Sequence, residues 1–155
     1  MENKQLLRYN NHIIRVLDLT GDKVCIIDCI KRTMPTWVAL KSLQKYIPCS
    51  EDALQDEIVS TDIDILDAKS KKAAYSKYTL IAPLLPFVSN QQKRNETINN
   101  LAAMNSVSKQ TIRYYLCLYL VYQNITALAP KQSVKEINLT QDEKNMRWAL
   151  NKFFY

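Results

Sequence analysis

The sequence predicts an α+β protein in which a small β-rich part precedes an all-α part. Residues 6–40 contain short runs rich in Ile, Val and Leu, and polar turn residues separate these runs. Beyond residue 67, apolar residues recur at the spacing of helices. The chain has 155 residues with one glycine and five prolines, so it is long enough for a buried core and is not expected to contain long disorder.

Residues 1–48 are predicted to form a small β-barrel-like meander of three or four strands. The Asn-Asn pair at residues 10–11 and Gly21 are turn residues that accept a positive φ. The run VCIIDCI, residues 24–30, is apolar on both faces, which favours a small barrel over an open sheet with one wet side. A further strand begins at Trp37, and a short helix is predicted after it.

Residues 49–66 are acidic and weakly periodic, and we interpret them as a linker or as a short helix followed by an extended crossing. After them, residues 67–130 are predicted to be helical. The first helix begins at Asp67, whose carboxylate can accept hydrogen bonds from the free amides of a helix start. Pro83 and Pro86 kink or end this helix, because proline has no amide hydrogen to donate.

Two further helices are predicted in this region. One runs from about 90 to 104, opened by a capping box of Ser89 with Gln92 and closed by Asn105 in the left-handed conformation. The other spans 108–122, and the serine at its first position caps the free amides. The short polar break between them gives the arrangement of a helix-turn-helix.

This pair of helices meets the sequence requirements of a DNA-binding helix-turn-helix. Ala102 and Ala103 are small enough for a close helix crossing, and Val107 fills the turn. Ile112 and Leu116 form the buried stripe of the third helix. An αα-hairpin with a capped second helix shows the same pattern, so the alternative is an ordinary pair of core helices.

The start of the third helix is predicted to face outward with side chains that suit a DNA duplex. Lys and Arg bind phosphates or guanine edges, Gln pairs with adenine edges, and the free amides of a helix start favour a phosphate. The tyrosines further along this helix are interpreted as core residues. The candidate DNA-binding residues are Ser106, Ser108, Lys109, Gln110, Arg113 and Tyr114.

Positive charge is concentrated in the helical half. Residues 1–66 contain eight Lys/Arg against ten Asp/Glu, whereas residues 67–155 contain thirteen against five. A basic surface attracts polyanions, of which nucleic acid is the commonest; a solvated basic face without a partner is the alternative. The run KSKKAAYSK at residues 69–77 is open to the same two interpretations, a solvated helix start or a secondary phosphate contact.

No membrane or secretory segment is recognisable. The chain opens without a signal peptide, no apolar run reaches the length of a membrane span, and no lysine-rich amphipathic helix or lipidation signal is present. We therefore expect no membrane partner and a cytoplasmic location, in which cysteines stay reduced. The four cysteines have no paired zinc spacing and are expected to be small buried hydrophobic residues: Cys25, Cys29, Cys49 and Cys117.

Catalytic motifs are missing from the sequence. One glycine is too few for a phosphate-binding loop or a dinucleotide-binding turn. Acidic residues such as Asp52, Asp56, Asp62 and Asp64 lie in the linker, and a linker does not bring carboxylates together around metal ions. We therefore assign no catalytic residue, no metal ligand and no cofactor within this chain.

Residues 131–155 are predicted to be a linker followed by the start of a further helix. Thr140 and Glu143 form a capping box, and the residues from Phe153 to Tyr155 would leave apolar surface at the end of that helix. We expect this helix to lead into a catalytic domain that is missing from the chain. The alternatives are a natural terminus or a dimer that buries the helix.

The motifs in chain order resemble a known family. A small β domain is followed by the basic helix-turn-helix VSKQTIRYYLCLYL, the segment ALAP and the run LTQDEKNMRWALNKFFY. This order resembles the N-terminal region of Mu-type and TnsB-like DDE transposases, the integrase-core family of bacterial mobile elements. The resemblance spans nearly the whole chain, and the helix-turn-helix and the DEKNMRWALNKFFY run are its strongest parts.

The resemblance implies a DNA-binding fragment of a transposase. In that family the front domains bind repeated sites at the ends of the element, and a following RNase H-like domain holds acidic residues and Mg²⁺. It therefore implies sequence-specific binding of double-stranded DNA by a reading helix at Ser108–Leu120, with Mg²⁺ needed only by the missing catalytic domain. Two alternatives stay open: an assembly module that joins transposase subunits, and a stand-alone helix-turn-helix transcriptional regulator.

Overall fold

The computed structural model describes residues 1–54 and 63–130. These residues form a five-stranded antiparallel sheet and three α-helices, joined by loops and 3-10 turns. The predicted α+β class is confirmed. The features predicted for residues 131–155, and the acidic residues Asp56 and Asp62, lie outside the described residues.

The sheet is a meander with one returning strand. Its strands are β1 Leu6–Tyr9, β2 His12–Thr20, β3 Lys23–Asp28, β4 Thr36–Ala39 and β5 Ile47–Pro48. Their spatial order is β4-β3-β2-β1-β5, so the first four strands form the predicted meander and β5 returns to pair with β1. The chain reaches β5 through a 3-10 turn at Leu40–Leu43, where the sequence predicts a short helix.

Two turns of the sheet adopt the left-handed backbone conformation. Asn10, between β1 and β2, has a φ of 53°, and Gly21, between β2 and β3, has a φ of 59°. Glycine accepts a positive φ without strain, and asparagine tolerates it better than most residues. Both turns are therefore encoded locally, as predicted.

Each face of the sheet is buried in its own core. Successive strand residues point to opposite faces, so Leu6 and Leu7 belong to different cores. One core joins the sheet to the helices, and the smaller one contains Leu43 of the 3-10 turn. The run at residues 24–30 is therefore apolar on both faces because helices cover one face and the turn covers the other.

The helical part contains α1 Ala68–Ile81, α2 Gln91–Asn105 and α3 Lys109–Tyr122. Asp67 caps α1 as predicted, since its carboxylate accepts a hydrogen bond from the amide of Ser70. Ser108 caps α3 as predicted, and the amide of Thr111 is its donor. The prolines end α1 as predicted, and a 3-10 segment, Ala82–Phe87, follows it.

The predicted boundaries of α2 are each wrong by one residue. Asn90, rather than Ser89, caps the helix, because its side-chain oxygen accepts a hydrogen bond from the amide of Lys93 at 3.1 Å. At the other end, Ser106 rather than Asn105 adopts the left-handed conformation, with φ 54° and ψ 42°. Asn105 stays helical, and its side-chain nitrogen donates to a carbonyl oxygen in the preceding turn.

The sheet and the helices share one hydrophobic core. Ile27 of β3 lies in the same buried cluster as Ile98 of α2 and Leu116 of α3. The described ends of the acidic segment form short 3-10 turns, Glu51–Leu54 and Ile63–Ile65. The division into a β domain, a linker and a helical domain stays a prediction. The predicted β domain and the predicted helical domain pack against each other.

Candidate nucleic-acid interface

Helix α3 is buried along most of its length and exposed at its start. Ile112 and Leu116 are fully buried, as predicted. In the later turns the burial extends around the helix and includes Cys117, Leu118, Leu120 and Val121. The accessible part of α3 is therefore its N-terminal end.

The structure brings the predicted DNA-binding residues together at that end. Ser106, Ser108, Lys109, Gln110 and Tyr114 are exposed, and Arg113 is half-buried. Among the described residues, the side chains of Lys109, Gln110 and Arg113 have no ion-pair or hydrogen-bond partner. Two cations and one amide are thus available to an incoming ligand on one short stretch of helix.

The two serines of the set have structural roles. Ser108 Oγ accepts a hydrogen bond from the amide of Thr111 at 3.1 Å and lies 2.8 Å from Thr111 Oγ1. Ser106 closes α2, and its amide donates to the carbonyl oxygen of Ala102. Because the Ser108 side chain and the Thr111 amide are bonded to each other, a ligand would meet the other backbone amides of the first turn, which have no partner within the helix.

The crossing of α2 over the core differs from the prediction at one residue. Ile98 is fully buried and Ala102 is partly buried, but Ala103 is exposed. One residue turns an α-helix by about 100°, so a residue that follows a core-facing position points away from the core. Val107 is partly buried against the core, as the prediction for the turn requires.

Two arginines of the β part hold the C-terminal end of α3. Arg15 in β2 is only 2% exposed, and its Nε donates to the carbonyl oxygen of Val121 at 2.8 Å. Its Nη2 donates to the carboxylate of Glu51 at 2.6 Å. Arg32 Nη2 donates to the hydroxyl of Tyr122 at 2.7 Å, and its guanidinium lies over that ring. The sheet therefore fixes the end of α3 opposite to the exposed one.

A third arginine fixes the start of α2 from inside the protein. Arg94 is 4% exposed, and its Nη1 donates to the carbonyl oxygen of Val88 at 2.6 Å. Its Nε has no hydrogen-bond partner among residues 1–54 and 63–130. Burial lowers the pKa of Arg94, and the nearby thiols of Cys25 and Cys117 oppose that shift. The same burial raises the pKa of each of these thiols to about 11.

Sequence reasoning missed the roles of these three arginines, of which Arg15 and Arg94 are buried and Arg32 is half-buried. Arg15 stands in an alternating strand, and Arg94 stands in a polar helix start, where arginine is usually solvated. Their partners are backbone carbonyls and side chains from other elements, so no local pattern marks them. They matter for the site because they orient the two helices that present its exposed residues.

The remaining titratable groups form no metal site in the described part of the chain. Residues 1–54 and 63–130 contain no group of three or more His, Cys, Asp or Glu side chains that could hold a metal ion. The carboxylate of Asp64 pairs with Lys71 at 3.0 Å. That the Mg²⁺ implied by the family resemblance belongs to a domain outside this chain stays a prediction.

The four cysteines are free; Cys25, Cys29 and Cys117 are buried as predicted, whereas Cys49 is half-buried.

Within residues 1–54 and 63–130, no helix has the length and apolar character that a membrane crossing requires.

The chain matches no protein-family model and no curated protein. The structure itself defines an α+β protein in which the start of α3 is exposed and carries two cationic side chains without ion-pair partners among the described residues. The likeness to Mu-type and TnsB-like transposases stays a hypothesis based on the sequence.

Proposed function

We propose that the chain binds double-stranded DNA through the start of α3, as the N-terminal part of a DDE transposase that recognises the ends of its mobile element. The observation that carries the proposal is the unpaired cationic character of this helix start. Lys109 and Arg113 stand one helical turn apart, and no carboxylate of the described residues neutralises either of them. The DNA backbone supplies the negative charges that such a surface lacks.

The two cations suit different contacts with a duplex. Arg113 is half-buried, which restricts its side chain, and a restricted planar guanidinium fits the two acceptors of a guanine edge. Lys109 is exposed, and its long flexible side chain can reach a phosphate. Gln110 lies between them in sequence and can pair with an adenine edge. The free amides and the positive end of the helix dipole favour a phosphate at the same place.

The finer architecture of the proposal is a helix-turn-helix beside a barrel-like sheet. The short connection from Asn105 to Lys109, the left-handed residue within it and the buried stripe of α3 support the helix-turn-helix. The two buried faces of the sheet support the barrel-like form, but β4 and β5 are its two edges, so the described strands do not close into a barrel. In this arrangement the sheet is a platform that holds the far end of the reading helix.

The test begins with selection of duplexes from a random-sequence library by the wild-type chain, followed by titration of a selected duplex. The variant Arg113→Gln is expected to weaken that duplex by the roughly tenfold or more that loss of a base contact produces. Lys45→Gln, on the exposed surface of the β part, removes the same charge and is the matched control. If a correctly folded Arg113→Gln binds like Lys45→Gln, α3 is not the reading helix.

A second candidate function is assembly of transposase subunits through the edges of the sheet. Ile47 on edge strand β5 is 65% exposed, and Trp37 on edge strand β4 is 38% exposed. Apolar residues on an unpaired edge strand are prone to pair with another chain. Size-exclusion chromatography with light scattering tests this: a stable oligomer that binds none of the library would favour assembly over DNA recognition.

The stand-alone regulator would use the same helix contacts as the transposase fragment. The selected sequences separate the two: a site repeated near the ends of a mobile element supports the transposase, whereas a site in a promoter supports the regulator.

A further inference from the structure

A cavity of about 120 Å³ opens beside the exposed start of α3. It is lined by Lys77 of α1, by Tyr114, Tyr115 and Leu118 of α3, and by the segment 127–130. A cavity of this size holds several water molecules or one small polar group. Its walls are apolar except for the lysine and the two tyrosines, so a polar occupant would be held at that side.

The lysine in the cavity differs from the others in the basic run of α1. Lys71 is paired with Asp64 at 3.0 Å. Lys77 has no carboxylate partner among the described residues, and its Nζ lies 5.2 Å from the centroid of the Tyr115 ring. The side chain is half-buried, and burial lowers its pKa. An ammonium group that has lost part of its water and has no counter-charge attracts an anion more strongly than an exposed lysine does.

The cavity and the proposed reading face share one residue, Tyr114. Tyr114 lines the cavity and is itself 49% exposed, directly after Arg113 in the sequence. Its ring lies 6.1 Å from the ring of Tyr115, which carries Lys77 on its face. An anion that sits against Tyr114 is therefore next to the cavity.

We propose that the cavity between Lys77 and Tyr114 is a phosphate-binding subsite that takes a backbone phosphate of the DNA duplex bound to the start of α3. The inference rests on the proposed function and adds a contact from a different helix. Lys77 supplies the charge, and the tyrosine hydroxyls are additional donors. A phosphate contact carries no sequence information, so the subsite positions the duplex without selecting its bases.

The test compares two lysines of the same helix. Lys77→Gln and Lys72→Gln each remove one positive charge from α1, but Lys72 is exposed and does not line the cavity. Lys77→Gln is expected to weaken the selected duplex and an unrelated duplex several-fold and alike. It is also expected to reduce the slope of log affinity against log salt by about 1, whereas Lys72→Gln changes it less. Equal effects of the two substitutions on both quantities would overturn the subsite.

A third variant separates lost contact from lost folding. Lys77→Arg keeps the charge and is expected to keep the salt slope of the wild type. If Lys77→Gln does not fold, the wild-type chain itself decides the question through the NMR signals of the Lys77 side chain. These signals are expected to shift when duplex is added, and an unchanged signal in saturated complex contradicts the proposal.

The source of the phosphate is tested with inorganic phosphate as a second probe. Shifts of the Lys77 signals with duplex at concentrations where inorganic phosphate has no effect support a DNA backbone subsite. If inorganic phosphate shifts these signals and duplex does not, the DNA backbone subsite is wrong.

If Arg113→Gln loses selective binding while Lys77→Gln behaves like Lys72→Gln, the subsite is wrong and DNA binding by α3 stands. If neither Arg113→Gln nor Lys77→Gln has an effect, both proposals are wrong.

Discussion

The guanidinium of Arg15 donates a hydrogen bond from Nε to the carbonyl oxygen of Val121 at 2.8 Å, across 106 positions of sequence. This bond joins the central part of the sheet to the last turn of α3. It satisfies one of the carbonyl groups that every helix leaves free at its C-terminal end. The β part is thereby tied to the helix that carries the proposed reading face.

Replacing Arg15 is expected to destabilise the whole described fold. Arg15→Ala leaves the buried carbonyl oxygen of Val121 without its donor, which costs about 1–3 kcal/mol of unfolding free energy. The carbonyl oxygen of Lys4, an exposed residue, loses the same donor but can bond to water. Glu51→Gln is the matched control, because the Glu51 side chain is 62% exposed and its pair with Arg15 is worth much less. Urea unfolding of both variants gives the comparison. A loss in Arg15→Ala no larger than in Glu51→Gln would show that the tie is unimportant.

The cap of α3 is expected to stabilise the exposed start of the reading helix. Ser108→Ala removes the acceptor for the amide of Thr111 and should lower the unfolding free energy by about 1 kcal/mol. Ser108→Asp keeps an acceptor at the same position and should recover most of that loss. Thermal unfolding measures both variants. The role assigned to Ser108 is wrong if alanine and aspartate are equally destabilising.

Stability is expected to fall in alkaline solution because of the buried thiols. Burial raises the pKa of Cys29 to about 12 from an ordinary value of 9.0. Between these values the unfolded chain releases a proton that the folded chain retains, so the unfolding free energy decreases as pH rises above about 9. The contribution is fully present below that pH. Cys29→Ala removes this group, and its stability should decline less steeply than that of the wild type over the same pH range.

Chemical unfolding at several pH values measures this difference. Cys49→Ala is the control, because Cys49 is half-buried and its pKa is raised mainly by a smaller degree of burial. Parallel curves for the wild type and Cys29→Ala would contradict the assignment of the alkaline loss to that thiol.

Several elements were predictable because their causes are local. The turns at Asn10 and Gly21 follow from residues that accept a positive φ, and the caps at Asp67 and Ser108 follow from short side chains before helical periodicity. The candidate residues from Ser106 to Tyr114 were found in the same way, since buried Ile112 fixes which side of α3 faces outward. Whether they bind DNA stays a prediction.

Other features depend on contacts that the local pattern does not contain. Ser89 and Asn90 are both good helix caps, and Asn90 takes that role while the carbonyl of Ser89 accepts a hydrogen bond from Trp37 Nε1. Ala103 is as small as Ala102, but the rotation of α2 on its core exposes it. In both pairs, tertiary contacts decided which of two chemically similar neighbouring residues takes the role.

The sequence by itself determined the α+β class, the meander, the three helices and the polar, cationic start of α3, because hydrophobic period, turn residues and caps act over a few residues. Tertiary structure alone decided that Arg15 and Arg94 are buried and that Lys77 lies beside Tyr114 and Tyr115. The partners of Arg15 and Lys77 come from distant elements, and that of Arg94 from the segment just before α2. A cation is buried without a large cost only where folding brings carbonyl oxygens or aromatic rings within contact distance.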